Sequence, residues 1–246
     1  MPLSQSIRFW IVKLSKLSYF NIRYRLNKWV KIEGVSLPVY LSYGYNVLRF
    51  IDNGQYESGE IRIIKETLGP GDKVLELGTG LGFISTYCAK KIGSENVYTF
   101  EANPYLRESI RELYTRNGVD PHLEFAILGK EEGKTVFYRN KESLLASGLE
   151  GSSIRSNQQI EVLKKNLNAK IKEIRPTYLI MDIEGGEYDI FMEIDFQTIR
   201  KIQFELHPTI LDAPKIDQIF KKLEKNNFSR DGSFNGQNNY YFFKDR

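Results

Sequence analysis

The stretch from Lys73 to Phe83, which reads KVLELGTGLGF, decides the fold of this 246-residue chain. Its first half is apolar, as is typical of a buried parallel strand. Its second half carries Gly78, Gly80 and Gly82, and a helical pattern follows at once. A strand that turns through glycines into a helix brings bare backbone close to a ligand. The stretch therefore predicts a strand–turn–helix unit with a small molecule bound at the turn.

Two acidic residues narrow the class of ligand. Glu76 lies just before the glycines, and Glu101 follows the next predicted strand, where an acid can accept hydrogen bonds from ribose hydroxyls. A dinucleotide site prefers G-x-G-x-x-G, but Phe83 stands at its third glycine position. The negative charge of Glu76 does not favour binding of a pyrophosphate. It does favour a ligand that has an ammonium group, a sulfonium and a ribose. These residues favour S-adenosylmethionine over a nicotinamide dinucleotide as the ligand. They also favour a turn that binds a ligand over a turn that binds none.

The composition fits one sizeable globular domain in a reducing compartment. Apolar residues make up 41% and aromatic residues 13% of the chain, which is enough for a large core. The chain has one cysteine, which excludes an internal disulfide, and we expect a cytoplasmic location. The two histidines, His122 and His207, exclude a zinc site of the Cys/His type.

The N-terminal segment is basic. Residues 1–32 contain no acidic residue, although the net charge of the whole chain is only +4. Apolar residues recur at helical spacing within 4–30, so we expect one or two amphipathic helices. Two interpretations stay open: residues 1–31 contact the inner face of a membrane peripherally, or they pack on the domain or on a second subunit. No apolar run reaches the roughly 18 residues that a membrane crossing needs.

A hairpin and a helix are predicted before the glycine stretch. Residues 30–51 alternate loosely and are rich in Val, Ile and Tyr, which predicts short strands that cap the main sheet. Ser58 is a candidate N-cap for a helix that runs to about Leu68. We assign residues 1–52 to an N-terminal helical and hairpin extension and residues 53–246 to the main domain.

From Lys73 onward, predicted strands alternate with helices. Further strands are expected near 97–100, 123–128, 135–138, 159–163, 178–181, 201–206, 228–230 and 239–244, with helices near 82–92, 104–116, 164–174, 187–194 and 213–225. Such units predict an α/β fold with a Rossmann-like, doubly wound parallel sheet covered on both faces. Ligands of such sheets bind at the carboxyl ends of the strands. The polar residues at these ends are Glu76, Glu101, Asp182, Glu205 and His207.

Four segments, ELGTGLG, TFEANP, MDIEGGE and FELHP, occur in this order and resemble the FkbM family of S-adenosylmethionine-dependent methyltransferases. The resemblance covers roughly residues 54–244, and its most distinctive part runs from Asp182 to Glu187. The family commonly has a lysine where Met181 stands. The resemblance implies a Rossmann-like methyltransferase fold and transfer of a methyl group to an oxygen, typically a hydroxyl of a sugar, a glycan or another natural product.

The resemblance also implies roles for single residues of the cofactor site. The residues that would hold the methionine part of the cofactor are Glu76, Gly78, Thr79, Gly80 and Gly82. The residues that would hold the ribose and border the adenine are Glu101, Ala102, Asn103 and Ala126. Tyr56 and Glu57 match a short family segment and would close over the cofactor.

Methyl transfer needs an acceptor oxygen in line with the S–CH3 bond and a group that removes its proton. Asp182 lies near where the methyl group is expected, so Asp182 or Glu184 is a candidate general base. His207 is the rival, because the pKa of histidine suits proton transfer. An ordinary structural position before Pro208 explains His207 equally well.

Two further features of the acceptor region stay open. A metal alternative rests on Asp182, Glu184 and Glu205, whose oxygens would bind Mg2+ at adjacent strand ends. The loop 139–158 is rich in serine and glycine, and a loop of this length is typical of a binding segment or of disorder. Its residues Ser153 and Arg155 are candidate contacts of the substrate, with a solvated loop as the alternative.

Other functions are weighed against methyl transfer. One is a protein that binds S-adenosylmethionine without catalysis and serves as a scaffold, and another is a nicotinamide-dependent enzyme. Nucleic-acid methylation is disfavoured, because the chain after residue 32 is slightly acidic and no Asn-Pro-Pro-Tyr-type segment follows the fourth strand. We therefore expect a small-molecule or glycan substrate as partner and no nucleic acid.

Overall fold

A computed structural model describes residues 18–24, 28–140, 147–148, 157–183, 185–208, 210–234 and 238–245. Three of the predicted site residues lie outside the described residues: Glu184, Ser153 and Arg155. Most of the basic N-terminal segment also lies outside them.

The described residues form strands in three sheets. In chain order the strands are β1 (Trp29–Ile32), β2 (Val35–Pro38), β3 (Val74–Leu77), β4 (Val97–Glu101), β5 (His122–Phe125), β6 (Ile127–Gly129), β7 (Gly133–Asn140), β8 (Ser147–Gly148), β9 (Asn157–Asn166), β10 (Tyr178–Met181), β11 (Lys201–Glu205), β12 (Ser229–Arg230) and β13 (Asn239–Phe243). The main sheet has the order β12-β13-β11-β10-β3-β4-β5. Its strands from β5 to β11 are parallel, and β13 pairs antiparallel with β11 and β12. The predicted Rossmann-like α/β class is confirmed, with a mixed sheet in place of a purely parallel one.

Helices cover both faces of the main sheet. In the described ranges the α-helices are α1 (Tyr45–Asp52), α2 (Ser58–Thr67), α3 (Phe83–Ile92), α4 (Arg107–Asn117), α5 (Leu167–Ile174), α6 (Glu187–Glu193) and α7 (Ala213–Lys225), and residues 18–23 are also helical. The predicted bounds of α7 are confirmed. Its N-cap Asp212 accepts a hydrogen bond from the Lys215 backbone N–H, and a proline stands in its first turn.

The region before the glycine turn differs from its prediction in two places. The hairpin β1–β2 is present, but the prediction of strand up to residue 51 is wrong, because residues 45–52 form α1. Leu48 and Ile51 lie on one face of α1 and are fully buried, and this burial outweighs a sequence preference for strand. Ser58 is the first residue of α2 and not its cap, which is Glu57.

A second sheet, with the order β6-β9-β7-β8, was not predicted. The stretch 123–128 is not one strand but two, because β5 pairs with β4 and β6 pairs with β9. Residues 164–166, predicted as the start of a helix, belong to β9. Both errors have one cause: β6 and β9 are far apart in sequence, and their pairing is a tertiary contact.

Alternate residues of the central strands enter two cores, one on each face of the main sheet. Val74 and Tyr178 belong to the core that contains the hairpin and helices α1 to α4. Leu75 and Leu179 belong to the core that contains helices α5 to α7. This alternation is expected of strands that are covered on both faces, and it leaves the strand ends free to form a site.

Residues 18–24 pack on the domain. The Phe20 side chain is buried in the core beside α1, and the Tyr24 hydroxyl donates a hydrogen bond to Asp52. Arg23 Nε lies 2.8 Å from Asp52 Oδ1. These contacts agree with the packing interpretation for this short part of the basic segment. In the described ranges, no helix combines the length and the apolar character of a membrane-spanning segment.

Candidate active site

The glycine turn after β3 lies directly against the end of β10. Gly78 has a φ of 90°, and a Cβ atom there would lie 1.8 Å from the backbone oxygen of Asp182. Only glycine permits this contact. The Asp182 backbone N–H also donates to the Leu77 carbonyl at 3.0 Å. The turn and the aspartate, which are far apart in sequence, are therefore neighbours.

Glu76 is buried in β3 just before the turn, with 2% of its surface exposed. Its carboxylate accepts a hydrogen bond from the Thr99 hydroxyl, which is also hydrogen-bonded to the Thr79 hydroxyl. Burial raises the pKa of Glu76 to about 8, and hydrogen bonds from Thr99 and Ser85 oppose this shift. These neutral donors fix the carboxylate in place and leave its charge to be compensated by a ligand.

Glu101, the last residue of β4, ties the glycine turn to the next strand end. Its two oxygens accept hydrogen bonds from the backbone N–H groups of Gly80 (2.9 Å) and Asn103 (2.7 Å). Burial raises the pKa of Glu101 to about 7, and these backbone N–H groups lower it. A carboxylate offers about four lone-pair sites, so further donors such as ribose hydroxyls can still bind.

Tyr56 and Glu57 cover the turn from the start of α2. A Cβ atom on Gly80 would lie 3.9 Å from the Tyr56 hydroxyl and from Glu57 Oε1. Glu57 has a φ of 49° and a ψ of 37°, a left-handed conformation that is uncommon outside glycine. Burial, and then the nearby charge of Glu60, raises the pKa of Glu57 well above its usual value. Strained backbone of this kind is concentrated at functional sites.

One cavity of about 260 Å³ joins these residues to the ends of β10 and β11. One part of its wall is apolar and includes Leu106, Ala126, Leu128 and Phe137. The acidic part is formed by Glu57, Glu60, Glu76, Glu101, Asp182 and Glu205. No lysine or arginine of the described chain lines the cavity. The cavity suits a ligand that has both an apolar ring and a positive charge.

Asp182 of the cavity wall is connected to two polar side chains that are not among the described lining residues, His207 and Glu187. Glu187, the first residue of α6, is fully buried, and its Oε1 accepts a hydrogen bond from the Gly185 N–H at 3.1 Å. His207 Nδ1 lies 3.0 Å from the same Glu187 oxygen, and His207 Nε2 lies 3.6 Å from Asp182 Oδ1. Glu187 therefore orients the imidazole so that Nε2 faces Asp182.

Glu205, at the end of β11, forms one cluster with Asp182 and His207. The three residues each offer one ligating atom, and these atoms lie within 4.8 Å of one another. Burial raises the pKa of Glu205 to about 8, the negative charges of Asp182 and Glu60 add to the shift, and His207 opposes it. Of the predicted Mg2+ ligands, Asp182 and Glu205 are thus adjacent, and His207 joins them.

Most of the predicted cofactor residues line one cavity: Tyr56, Glu57, Glu76, Gly78, Gly80, Glu101, Ala102, Ala126 and Asp182. Three others are not among the described lining residues: Thr79, Gly82 and Asn103. Asn103 is buried, and its side-chain oxygen accepts the Tyr105 N–H after β4. Gly82 begins α3 with a φ of 85°. Contact of any of these residues with a cofactor stays a prediction.

Several residues of the wall carry no site prediction from the sequence. Among them are Glu60 of α2, Gln203 of β11 and Phe137 of β7. Gln203 is 1% exposed, and its Nε2 has no hydrogen-bond partner among the described residues. A glutamine inside an apolar strand is a signal that the sequence carries. Glu60 and Phe137 give no such signal, because their positions depend on helix packing and on the second sheet.

Comparison with known families gives a match over more than half of the chain. Residues 76–230 match the family described as methyltransferase FkbM domain. The matched range contains the strand-end residues from Glu76 to His207.

Individual relatives are more distant. A ribosomal protein L11 methyltransferase of Symbiobacterium thermophilum is 32% identical over 68 residues, which are 28% of this chain and 22% of that protein. The structure of a methyltransferase from Pyrococcus furiosus is 14% identical, with a TM-score of 0.47 over 95% of this chain and 98% of that one. An O-methyltransferase from Bacillus cereus in complex with SAH is 11% identical, with a TM-score of 0.41 over 94% and 99%. Likeness at this level does not define a substrate.

Proposed function

Because the chain belongs to the FkbM methyltransferase family, we propose that it transfers the methyl group of S-adenosylmethionine to an oxygen. The acceptor that we propose is a hydroxyl of a sugar, a glycan or another small natural product. One observation carries the proposal: a single cavity has a donor end and an acceptor end. We define the donor end as Glu76, Gly78, Gly80 and Glu101, and the acceptor end as the wall residues Asp182 and Glu205 with the adjacent His207.

The donor end has the groups that S-adenosylmethionine requires. The buried carboxylate of Glu76 is placed to compensate the ammonium group of the methionine part. Glu101 retains lone pairs for the ribose hydroxyls beyond those that Gly80 and Asn103 occupy. The apolar wall at Leu106 and Ala126 is suited to the adenine ring.

The charge of the cavity supports both the donor and the class of acceptor. S-Adenosylmethionine carries a sulfonium cation that the product S-adenosylhomocysteine lacks. Because the described wall has carboxylates and no lysine or arginine, electrostatic attraction favours the donor over the product. The same wall repels phosphate groups, which supports an acceptor other than a nucleic acid.

The proposed reaction is an in-line displacement at the methyl carbon. A lone pair of the acceptor oxygen forms the new C–O bond while the C–S bond breaks, and the electron pair of that bond goes to sulfur. We assign the acceptor's proton to Asp182, because its backbone contact with Gly78 places it beside the donor end. His207 Nε2 lies 3.6 Å from Asp182 Oδ1, so the imidazole faces the same region as this carboxylate.

Binding and transfer are tested separately. Isothermal titration with S-adenosylmethionine and with S-adenosylhomocysteine tests the donor end, and we expect tighter binding of the donor. Methyl-labelled S-adenosylmethionine, supplied with fractionated glycans, lipids and small hydroxylated molecules of the source organism, tests the acceptor end. We expect label on a hydroxyl oxygen.

Three results would contradict the proposal. Absence of S-adenosylmethionine binding would exclude the donor. Label that appears only on protein or nucleic acid would exclude the acceptor class. Binding without transfer to any fraction would support the scaffold alternative instead.

A further inference from the structure

We propose that Asp182, Glu205 and His207 form a binding site for a divalent transition-metal cation at the acceptor end of the cavity. Their three ligating atoms lie within 4.8 Å of one another. Asp182 follows β10 and Glu205 ends β11, and the parallel pairing of these strands fixes their spacing. Atoms that bind one cation at roughly 2.0–2.2 Å lie at most about 4.4 Å apart, so binding would draw the three atoms slightly closer together.

The imidazole is held as a metal ligand usually is. His207 Nδ1 lies 3.0 Å from Oε1 of Glu187, a fully buried carboxylate that the Gly185 N–H also fixes. A histidine that binds a metal through one ring nitrogen almost always donates a hydrogen bond from the other nitrogen to a carboxylate, a backbone carbonyl or water. This hydrogen bond sets the tautomer and the ring orientation. In this arrangement Nδ1 carries the proton, and Nε2 presents its lone pair to the cluster.

Gln203 is an independent sign of a missing ligand in the same cavity. Its side chain is 1% exposed and lines the cavity, and by strand alternation it lies on the same face of β11 as Glu205. Its Oε1 accepts a hydrogen bond from the Tyr178 hydroxyl. Its Nε2 has no partner in the described part of the chain, which is costly for a buried donor. A metal-bound water or an acceptor oxygen would satisfy it.

The acidic character of the wall also favours a cation. Glu57 and Glu60 lie on the same wall as Glu205. The described wall contains no lysine or arginine beside these acids. A divalent cation compensates two negative charges there, whereas a neutral hydroxyl acceptor compensates none.

The ligand set selects the class of metal. Two carboxylates and one imidazole suit a cation that accepts both oxygen and nitrogen, such as Mn2+, better than Mg2+, which prefers oxygen ligands and water. Three protein ligands leave positions for water and for the acceptor oxygen. The cation's role rests on the proposed methyl transfer: it holds and acidifies the acceptor hydroxyl, whose proton passes to the Asp182 oxygen that does not bind the metal.

Metal binding is measured on the full chain after treatment with a chelator. MnCl2 and MgCl2 are titrated by calorimetry, and the electron paramagnetic resonance signal of free Mn2+ reports binding independently. We expect one Mn2+ per chain, bound more tightly than Mg2+. Glu205→Gln is expected to weaken Mn2+ affinity about 100-fold and Glu187→Gln at least about 10-fold. The matched control Glu224→Gln changes an exposed carboxylate of α7 and is expected to have no effect.

Folding of each variant is checked by its affinity for S-adenosylmethionine, which should stay within about threefold of the wild type. Unchanged Mn2+ affinity in Glu205→Gln, or no saturable Mn2+ binding by the wild type, would overturn the inference. Full methyl transfer in the presence of a chelator would also overturn it while leaving the proposed function intact. Mn2+ binding that weakens in the variants as expected, without any methyl transfer, would support the metal site and contradict the proposed function.

Discussion

The donor end and the acceptor end of the cavity are built in different ways. The donor end comes from one continuous run, 74–101, in which a strand, a glycine turn, a helix and the next strand follow one another. The acceptor end is assembled from β10 and from the end of β11, with α6 behind it. Glu76 is 2% exposed, whereas the Asp182 side chain is 42% exposed. A local chain segment thus prepares the donor end, and the acceptor end forms only when distant segments meet.

The acids of the two ends are also stabilised differently. Glu76 and Glu101 accept hydrogen bonds from a hydroxyl and a backbone N–H of the same run and from the backbone N–H of Asn103 just after it. Asp182 and Glu205 face each other and His207. The acids of the donor end are therefore held in place by neutral donors, whereas those of the acceptor end face one another.

The largest effect is expected where the two ends touch. Gly78→Ala places a Cβ atom 1.8 Å from the Asp182 backbone oxygen at a φ of 90°, so β3 and β10 must separate. We expect a loss of at least ~3 kcal/mol in the free energy of unfolding and no measurable S-adenosylmethionine binding. Denaturant unfolding and calorimetry measure these quantities.

The matched control for this contact is Gly118→Ala. Gly118 has a φ of 66°, but a Cβ atom there would have no neighbour within 4 Å. We expect a loss of only ~1 kcal/mol, from backbone strain alone. Equal losses in the two variants would mean that the contact between the two ends is unimportant.

The second prediction separates the ends by function. Asp182→Asn removes the proposed proton acceptor and preserves the shape of the side chain. We expect the rate of methyl transfer to fall roughly 10²–10⁴-fold and S-adenosylmethionine affinity to change by less than about tenfold. Asp189→Asn, at an exposed position of α6, is the control. An active Asp182→Asn variant would remove Asp182 from the base role.

The third prediction is the converse, at the donor end. Glu101→Gln replaces one carboxylate oxygen with an NH2 group, which cannot accept hydrogen bonds. The variant therefore has too few acceptor sites for the N–H groups of Gly80 and Asn103 and for the ribose hydroxyls. We expect S-adenosylmethionine affinity to fall about 10- to 100-fold by calorimetry. The rate at saturating cofactor should stay within about tenfold. Glu108→Gln, at an exposed position of α4, should match the wild type. A rate loss without an affinity loss would place Glu101 in the chemistry.

The smallest effect concerns pH. Burial raises the pKa of Glu76 from 4.5 to about 8 in the folded chain, so the folded state keeps this proton longer than the unfolded state does. The stability that this gives is complete below pH 4.5 and is lost as the pH rises to about 8. Without cofactor, we expect the melting temperature to fall by roughly 5–10 °C between pH 5 and pH 9.

Glu76→Gln tests the source of this dependence. The variant has no titrating group at this position, so its fall in melting temperature should be smaller than that of the wild type. The buried Glu101, whose pKa is raised to about 7, leaves part of the fall in place. Identical pH profiles in the wild type and the variant would show that Glu76 is ionised throughout this range.

Elements whose signals lie within one segment are predicted correctly, whereas elements that depend on distant segments are not. Helix α7 has its cap, its proline and its apolar spacing within one segment, and its bounds are confirmed. Helix α1 has no such local signal, and its sequence predicts a strand. Only the packing of Leu48 and Ile51 makes it helical. Residues 164–166 and the second sheet were missed because β6 and β9 stabilise each other across the chain.

By itself, the sequence determined the class of fold and most of its alternation of strands and helices, and it predicted the residues that we assign to the donor end. These depend on hydrophobic periodicity, on glycines in a turn and on acids at strand ends, all of which are local in the chain. Only the tertiary structure decided that Glu187 holds His207, that Glu60 and Gln203 line the cavity, and that His207 joins Asp182 and Glu205 in one cluster. The physical reason is that distances between segments are set by packing and by the pairing of β10 with β11, which no local pattern encodes.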